Sequence, residues 1–269
     1  MGIARLKRSR NSLLSIRRLP PEVPGDIFRR NVAPEGTFGR LEERSHNFLL
    51  VCHHWFIVAS RTPEVWSFWG NNLEDWKKRH LRYSAAPFDL VLDEEPSTGE
   101  TLDNDNNNLR NALQDRVVRD TIRRIHLDDQ YSESLRSIIS SLAGSGEIRS
   151  NSVESVIILD RSNHTSVDVS DLLAYYRFPK LRRLKLDNCV ISSWDLITSR
   201  TSTLTILFLA FSHPTPTPTM SQLLSILGSN PALQEISLFG CTIPDDGGGR
   251  SSARLSLHHL RELRLSGDL

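Results

Sequence analysis

Cysteine is scarce in this chain and net charge is almost absent. The 3 cysteines, Cys52, Cys189 and Cys241, are odd in number and far apart in 269 residues. That argues against a disulfide-built scaffold and fits a reducing compartment, cytoplasmic or nuclear. Lys plus Arg is 33 and Asp plus Glu is 32, leaving a formal charge of +1. No net electrostatic pull draws such a chain to nucleic acid or to a membrane surface, and neither is an expected partner. No apolar run approaches the roughly 18 residues that a membrane span needs. The opening stretch, MGIARLKRSRNSLLSIRRLP, lacks the continuous apolar core of a secretory signal. Leu6 stands where a myristoylation signal requires Ser or Thr. Its Arg- and Ser-rich, acid-free composition overlaps that of a mitochondrial transit peptide, but a solvated basic tail over residues 1–18 is the preferred reading.

Catalytic motifs are missing as well. The sequence contains no G-x-S-x-G, P-loop, G-x-G-x-x-G or H-E-x-x-H pattern. Gly144-Ser145-Gly146 and Gly247-Gly248-Gly249 lack the flanking residues of a phosphate cradle, so loop flexibility accounts for them. His46, Cys52, His53 and His54 invite a metal reading. Cys52 and His53 are adjacent, however, and adjacent helical residues point apart. No second ligand pair follows at zinc-finger spacing. The expectation is a non-enzyme with no catalytic residues, no cofactor and no metal. An enzyme on an α/β repeat-like fold would need a cluster of strongly perturbed acids, and the sequence offers none to point to.

What the chain does have is apolar content, 38%, against 24% charged residues, enough for a packed core. It divides in two. Residues 19–85 hold every tryptophan but Trp194, and residues 86–269 are leucine-rich and periodic. An acidic stretch from Asp89 to Asp105 runs into Asn104–Asn108, and residues 94–108 read as a surface loop.

The second part carries an internal repeat. Leu181-x-x-Leu184-x-Leu186 returns as Leu204, Leu207 and Leu209, as Leu233, Ile236 and Leu238, and as Leu260, Leu263 and Leu265. Degenerate copies stand at Val153, Val156 and Ile158 and at Ile122, Ile125 and Leu127. Successive frames are 31, 28, 23, 29 and 27 residues apart. This brackets the period of about 20–29 residues of leucine-rich repeats. Leu90 and Leu92 suggest a further strand. Helical stripes follow the strands: Leu135, Ile138, Ile139 and Leu142; then Val169, Leu172, Leu173 and Tyr176; then Met220, Leu223, Leu224 and Leu227. Gly144 and Gly228 suit helix C-termini. The predicted unit is a strand, a turn and a helix, and stacking such units buries the leucines.

The expected fold class is α/β: a small all-helical module over 19–85, then a leucine-rich-repeat-like solenoid over 86–269 with a parallel concave sheet and outer helices. Positions between the leucines would face the concavity: Arg183 and Lys185, Thr205 and Phe208, Glu235 and Ser237, Glu262 and Arg264. They vary while the leucines recur, which suits recognition of a target protein. His213–Thr219, HPTPTPT, should be extended and exposed; a rigid loop between strand and helix is the preferred reading, and proline-directed phosphorylation at Thr215 and Thr217 the alternative. His258-His259 should lie half in the core and half in solvent. The chain stops at Leu269, 4 residues after Leu265, with no polar capping segment. A truncated product with an exposed C-terminal edge is therefore expected.

In the first part, Leu19-Pro20-Pro21-Glu22-Val23 and Asp26-Ile27-Phe28 open one helix, with Val23, Ile27 and Phe28 sharing a face. Phe48, Val51, Cys52, Trp55 and Ala59 stripe a second. Thr62-Pro63-Glu64 restarts the chain ahead of Trp66 and Trp69, with Thr62 as an N-cap. The ordered set LPPEV…DIF, LLVCHHWFIVAS, TPEVWS, followed by leucine-rich repeats, resembles the F-box, and particularly the F-box-like proteins abundant in mushroom-forming fungi. The resemblance covers residues 19 to 92, and the remainder by repeat type. It implies an adaptor role: the F-box docks a Skp1-type adaptor and through it a cullin, while the repeats hold a target in a ubiquitin ligase. Carried over by position, adaptor-binding residues would be Leu19, Pro20, Ile27, Phe28, Val51, Cys52 and Trp55, with Leu19, Pro20 and Ile27 the best placed for exposed docking. The chain departs from that family at Pro24, where Leu is usual. An interior proline removes a helix hydrogen bond at about 3 kcal/mol, less near an end. This motivates a second reading: a repeat scaffold that no longer recruits the adaptor.

Overall fold

The structure is a computed structural model. It describes residues 19–20, 22–32, 52–62, 68–69, 87–93, 110–129, 132–143, 152–162, 166–176, 178–211, 216–241 and 255–267. The chain divides into two compact units, Met1–Val91 and Leu92–Leu269, where the sequence placed its boundary between 85 and 86.

In the first unit, α1 (Glu22–Val32) opens with the Val23 amide donating to the Pro20 carbonyl at 3.0 Å. Pro24 is its third residue, inside the first turn, where backbone N–H groups have no intrahelical partner. The missing donor is therefore almost without cost, and the helix is neither shortened to start at Pro24 nor broken there. Pro24, Gly25 and Phe28 take the buried side, while Val23 and Ile27, four residues apart, are turned outward together. Helix α2 (His53–Ser60) packs against α1, with Trp55 meeting Phe28 edge-on at 5.1 Å between ring centroids. The Thr62 hydroxyl donates back to the Val58 carbonyl at 2.9 Å and closes α2; the residues it was expected to cap lie outside the described residues. The region is not all helical. Phe68–Trp69 forms a short strand, β1, parallel to β2 (Phe88–Asp93), pairing with Asp89 and Leu90.

The second unit is α/β with a parallel sheet. After helical residues 110–113 and α3 (Arg116–Asp120) come β3 (Ile122–Asp129), α4 (Ser132–Ala143), β4 (Ser155–Asp160), the short β5 (Val167–Asp168) and α5 (Ser170–Tyr175). Then follow β6 (Arg183–Asp187), β7 (Cys189–Val190), α6 (Asp195–Arg200), β8 (Ile206–Ala210), α7 (Met220–Ser229), β9 (Glu235–Phe239) and β10 (Glu262–Ser266). Strands β3, β4, β6, β8, β9 and β10 lie side by side in that order, all parallel. Helices α4, α5, α6 and α7 pack each on the next, and β5 pairs with β7 beside them.

The register follows the apolar frame. Ile125, Val156, Leu184, Leu207, Ile236 and Leu263 form one row across the sheet, and Leu127, Ile158, Leu186, Leu209, Leu238 and Leu265 another. From β3 to β9 these side chains are buried. Each fully enclosed one contributes roughly 1.5–3 kcal/mol. The amides entering the strands repeat one bond: Glu154 to the Arg123 carbonyl, Arg182 to Glu154, Thr205 to Arg182, Gln234 to Thr205, and Arg261 to Gln234, at 2.7–2.9 Å. Those partners are spaced as the frames are, so every unit enters the sheet at the same step.

Turns after the strands repeat too. The amides of Asn188, Phe211 and Gly240 donate to the carbonyls of Ala210, Phe239 and Ser266. Asn188 and Gly240 do so with φ of 53° and 63°. At Gly240 a Cβ would stand 2.1 Å from the Phe211 carbonyl oxygen, so only glycine fits.

Two of the three helical stripes hold; in the third only Leu223 is buried, Leu224 and Leu227 being half-buried. Leu135, Ile138, Ile139 and Leu142 are buried, as are Val169, Leu172, Leu173 and Tyr176. In α7 the buried residues are Leu223 and Ile226, and Met220 is exposed at the helix start. Gly228 lies inside α7, which runs on to Ser229 and ends at the buried Asn230. At the other end, Thr219 caps α7 reciprocally with Gln222. Of the HPTPTPT segment, Pro216 is exposed, Thr217 half-buried and Pro218 buried, so its described end is not wholly exposed; Thr215 lies outside the described residues. His258 and His259 are both exposed in a turn rather than half in the core.

Candidate recognition surfaces

The residues between the buried rows make the other face of the second unit's sheet; on β3 and β4 His126, Asp128, Ser155 and Ile157 are themselves buried, and the face is open from β6 onward. The first of these rows runs Arg124, Ser155, Arg183, Ile206, Glu235 and Glu262. Ile206, not Thr205, is thus the neighbour of Arg183. Thr205 sits one step before the strand, its hydroxyl donating to the Arg182 carbonyl at 3.0 Å. The second row runs His126, Ile157, Lys185, Phe208, Ser237 and Arg264, and the third Asp128, Leu159, Asp187, Ala210, Phe239 and Ser266.

Of the residues singled out in the sequence, Arg183, Glu235 and Arg264 are exposed. Lys185, Phe208, Ser237 and Glu262 are half-buried. The sheet brings Lys185 and Phe208 together: the Lys185 ammonium lies 4.5 Å from the Phe208 ring centre. On its other side Phe208 meets Phe239 at 5.4 Å. A cation over an aromatic face is worth about 0.5–1 kcal/mol where exposed. The contact also holds Phe208 in a fixed attitude toward solvent. Leu159, Ile206 and Phe239 belong to this surface and were not singled out. Ile206 holds the frame position of Arg183 and Glu235, whereas Leu159 and Phe239 lie in the row beyond the last leucine, outside the repeating frame. The surface is therefore an apolar strip with Arg183 and Lys185 on β6 and Glu235 and Glu262 on β9 and β10.

Asp187, at the edge of that strip, has its carboxyl pushed up from the ordinary value, chiefly by burial and in part by Asp160, with Lys185 and Arg161 pulling the other way. Because the folded pKa lies above the unfolded one, the folded chain holds this proton more tightly, so Asp187 disfavours folding once it is ionised. Asp187→Asn is expected to raise the melting temperature at pH 7. The advantage over wild type should vanish as pH falls below about 4, where the wild-type carboxyl is protonated in both states. Paired melts across pH 3–8 check the sign.

Arg161 pairs with Asp128 across the β3–β4 edge, Arg161 remaining largely exposed. Cys189 and Cys241 are buried packing thiols; burial raises both, Cys241 to about 11. Neither is poised as a nucleophile. Among the described residues no group of three or more His, Cys, Asp or Glu is placed to hold a metal, and no helix is long and apolar enough to cross a membrane.

The first unit offers a separate surface. Pro20 is exposed, Leu19, Cys52 and Trp55 are half-buried, and Ile27 is 37% exposed. Phe28 is fully enclosed, because the helix periodicity that turns Val23 and Ile27 outward turns it inward against Trp55. It is core, not docking surface. Val51 lies outside the described residues. Val23 and Phe56, at 40% and 38%, are exposed apolar residues that the sequence reading did not assign to docking. No protein-family model matches the chain, and no curated protein matches it.

Proposed function

We propose that the chain is the substrate-recognition subunit of a Skp1–cullin–F-box type ubiquitin ligase, its α1–α2 head docking the adaptor and its leucine-rich-repeat-like region binding a target protein. One observation carries the reading. Six parallel strands repeat one apolar frame in register, while the residues alternating with it differ from strand to strand. A constant interior with a varied open face is what a dedicated recognition surface requires. Ahead of it in the sequence, the described helices α1 and α2 expose the apolar Val23, Ile27 and Phe56. Such a chain needs no catalytic group of its own. By holding a target and an adaptor on one polypeptide it makes their encounter intramolecular, which raises the effective concentration of the target at the ligase. Cullin ligases act in the cytoplasm and nucleus, in keeping with the free thiols.

The scaffold reading, in which the adaptor is no longer recruited, rested on Pro24. With Pro24 in the first turn of α1 the helix keeps its length, and that motive weakens. Assembly distinguishes the two. The full chain mixed with purified adaptor, cullin and RING subunit is expected to elute with them as one complex. Failure to co-elute, with co-elution restored by Pro24→Leu, would establish the scaffold instead.

A further inference from the structure

From β6 onward the open face changes charge strand by strand. Lys180, Arg182, Arg183 and Lys185 crowd β6 and its approach, and residues 180–186 include no acid. The stretch that carries β8, residues 201–211, holds no charged residue at all. On β9 the sign reverses at Glu235. The ladder sets Arg183, Ile206 and Glu235 side by side in the first row, and Lys185, Phe208 and Ser237 in the second. Arg183 and Glu235 are exposed, and neither side chain forms an ion pair among the described residues. Glu262, the next acid along, is already paired with Arg264. Asp187 stands in the third row, beyond both.

A bound segment must match that grid. Neighbouring strands lie about 4.8 Å apart, so the backbones at Arg183 and Glu235 stand roughly 9.6 Å apart with β8 midway. A β-strand returns to one face every ~6.7 Å, short of the span at one repeat and past it at two. A polyproline II helix returns every third residue, ~9.3 Å, and its backbone needs no hydrogen-bonding partner. Such helices dock on aromatic surfaces. Phe208, held between Lys185 and Phe239, supplies one at the midpoint.

Resting on the reading that the repeats hold a target, we propose that this face takes a polyproline II segment of the target carrying an acidic and a basic residue three positions apart, with an apolar residue between them. The acid meets Arg183 and Lys185, and the base meets Glu235. Both ride one ridge of the polyproline II helix along the first row. The apolar residue belongs to the neighbouring ridge, which lies over the second row at Phe208. Either chain direction satisfies the charges. A segment with two like charges sets one of them against its own sign.

The test uses fluorescent proline-rich peptides that differ only at two positions three apart, with Leu between. The pairs are Glu and Arg in either order, two Glu, and two Arg. Anisotropy titrations with the full chain are run at low salt, where exposed charges are least screened. Both mixed peptides are expected to bind at least about fivefold tighter than either like-charged one. Glu235→Arg should transfer the preference to the two-Glu peptide, and Arg183→Glu should weaken the mixed peptides about fivefold. Both exchanges are at exposed positions, and circular dichroism verifies that each variant is folded. Phe208→Ala should weaken every peptide. If all the peptides bind alike yet depend on Phe208, the charge pattern is overturned and the open face stands as a recognition surface. Binding indifferent to Phe208→Ala, or no binding by the folded chain, overturns the proposal. So does preference for an alanine-rich helical peptide with Glu and Arg seven apart, the spacing at which an α-helix covers the same span. The adaptor role is judged separately by co-elution, which none of these substitutions should alter.

Discussion

Leu207→Ala is expected to lower the unfolding free energy by about 2–5 kcal/mol, the range for a leucine removed from a closed core. Leu263→Ala should lower it by under about 1.5 kcal/mol, since over half of that side chain is already in water. The two residues lie in one row of the sheet, reached through Ile236, and share the same place in the sequence frame. A difference between them cannot come from residue type or strand propensity. It measures whether a neighbouring unit covers the position. Leu207 has β6 on one side and β9 on the other and is fully enclosed. Urea unfolding of both variants, with the slope against denaturant compared with wild type, gives the two values. Equal losses would mean that the row does not share one interior.

Asn230→Ala is the second large effect. Asn230 is fully buried where α7 hands the chain to β9. Its side-chain amide donates to the Ile226 carbonyl at 2.9 Å and to the Thr201 hydroxyl at 3.4 Å. Its oxygen accepts from the Leu204 amide at 3.2 Å. It therefore closes its own helix and ties it to the frame of the preceding unit. Alanine leaves the Leu204 N–H buried without that acceptor and the Ile226 carbonyl without that donor. A buried polar group left unpaired costs about 1–3 kcal/mol, so a loss of about 2–4 kcal/mol is expected. Asn230→Asp keeps the acceptor but sets a carboxylate oxygen against the Ile226 carbonyl in a dry site, and should be no better than alanine at pH 7. Thermal or urea unfolding of the two variants checks the order. A neutral Asn230→Ala would show that the units are held by leucines alone.

The contrast between these two sites explains what could be read from the residues. The leucine frame was visible because burial on one face of a strand imposes a period of two, and the helix between strands imposes another. Periods survive in a single sequence. Asn230 carries no such pattern: its partners, Leu204 and Thr201, are 26 and 29 residues away, and only the stacking brings them near. The hydroxyls of Ser152 and Thr203 are similar, donating to the Ile122 and Leu181 carbonyls of the preceding units. On the open face, Arg183, Lys185, Phe208, Glu235 and Glu262 were legible once the leucines were aligned. Ile206 rather than Thr205 stands beside Arg183, a shift of one residue that only the ladder shows. Phe28 was misplaced for another reason. Val23, Ile27 and Phe28 all fall within one broad helix face, and sequence alone cannot say which edge of it meets α2. Likewise Phe68–Trp69 read as part of a helical module, because a two-residue strand leaves no period and depends on Asp89 and Leu90 some 20 residues on.

The measurement that bears most directly on the proposed role is the affinity of the full chain for a purified Skp1-type adaptor, by titration calorimetry, for wild type, Ile27→Glu and Phe208→Ala. The account predicts that wild type binds, and that Ile27→Glu weakens binding at least tenfold, about 1.4 kcal/mol, because a carboxylate replaces an apolar contact at the interface. Phe208→Ala should match wild type, since Phe208 belongs to the target surface. Absence of binding by the folded wild-type chain, or an affinity that Ile27→Glu leaves unchanged, would contradict the adaptor role assigned to the helical head.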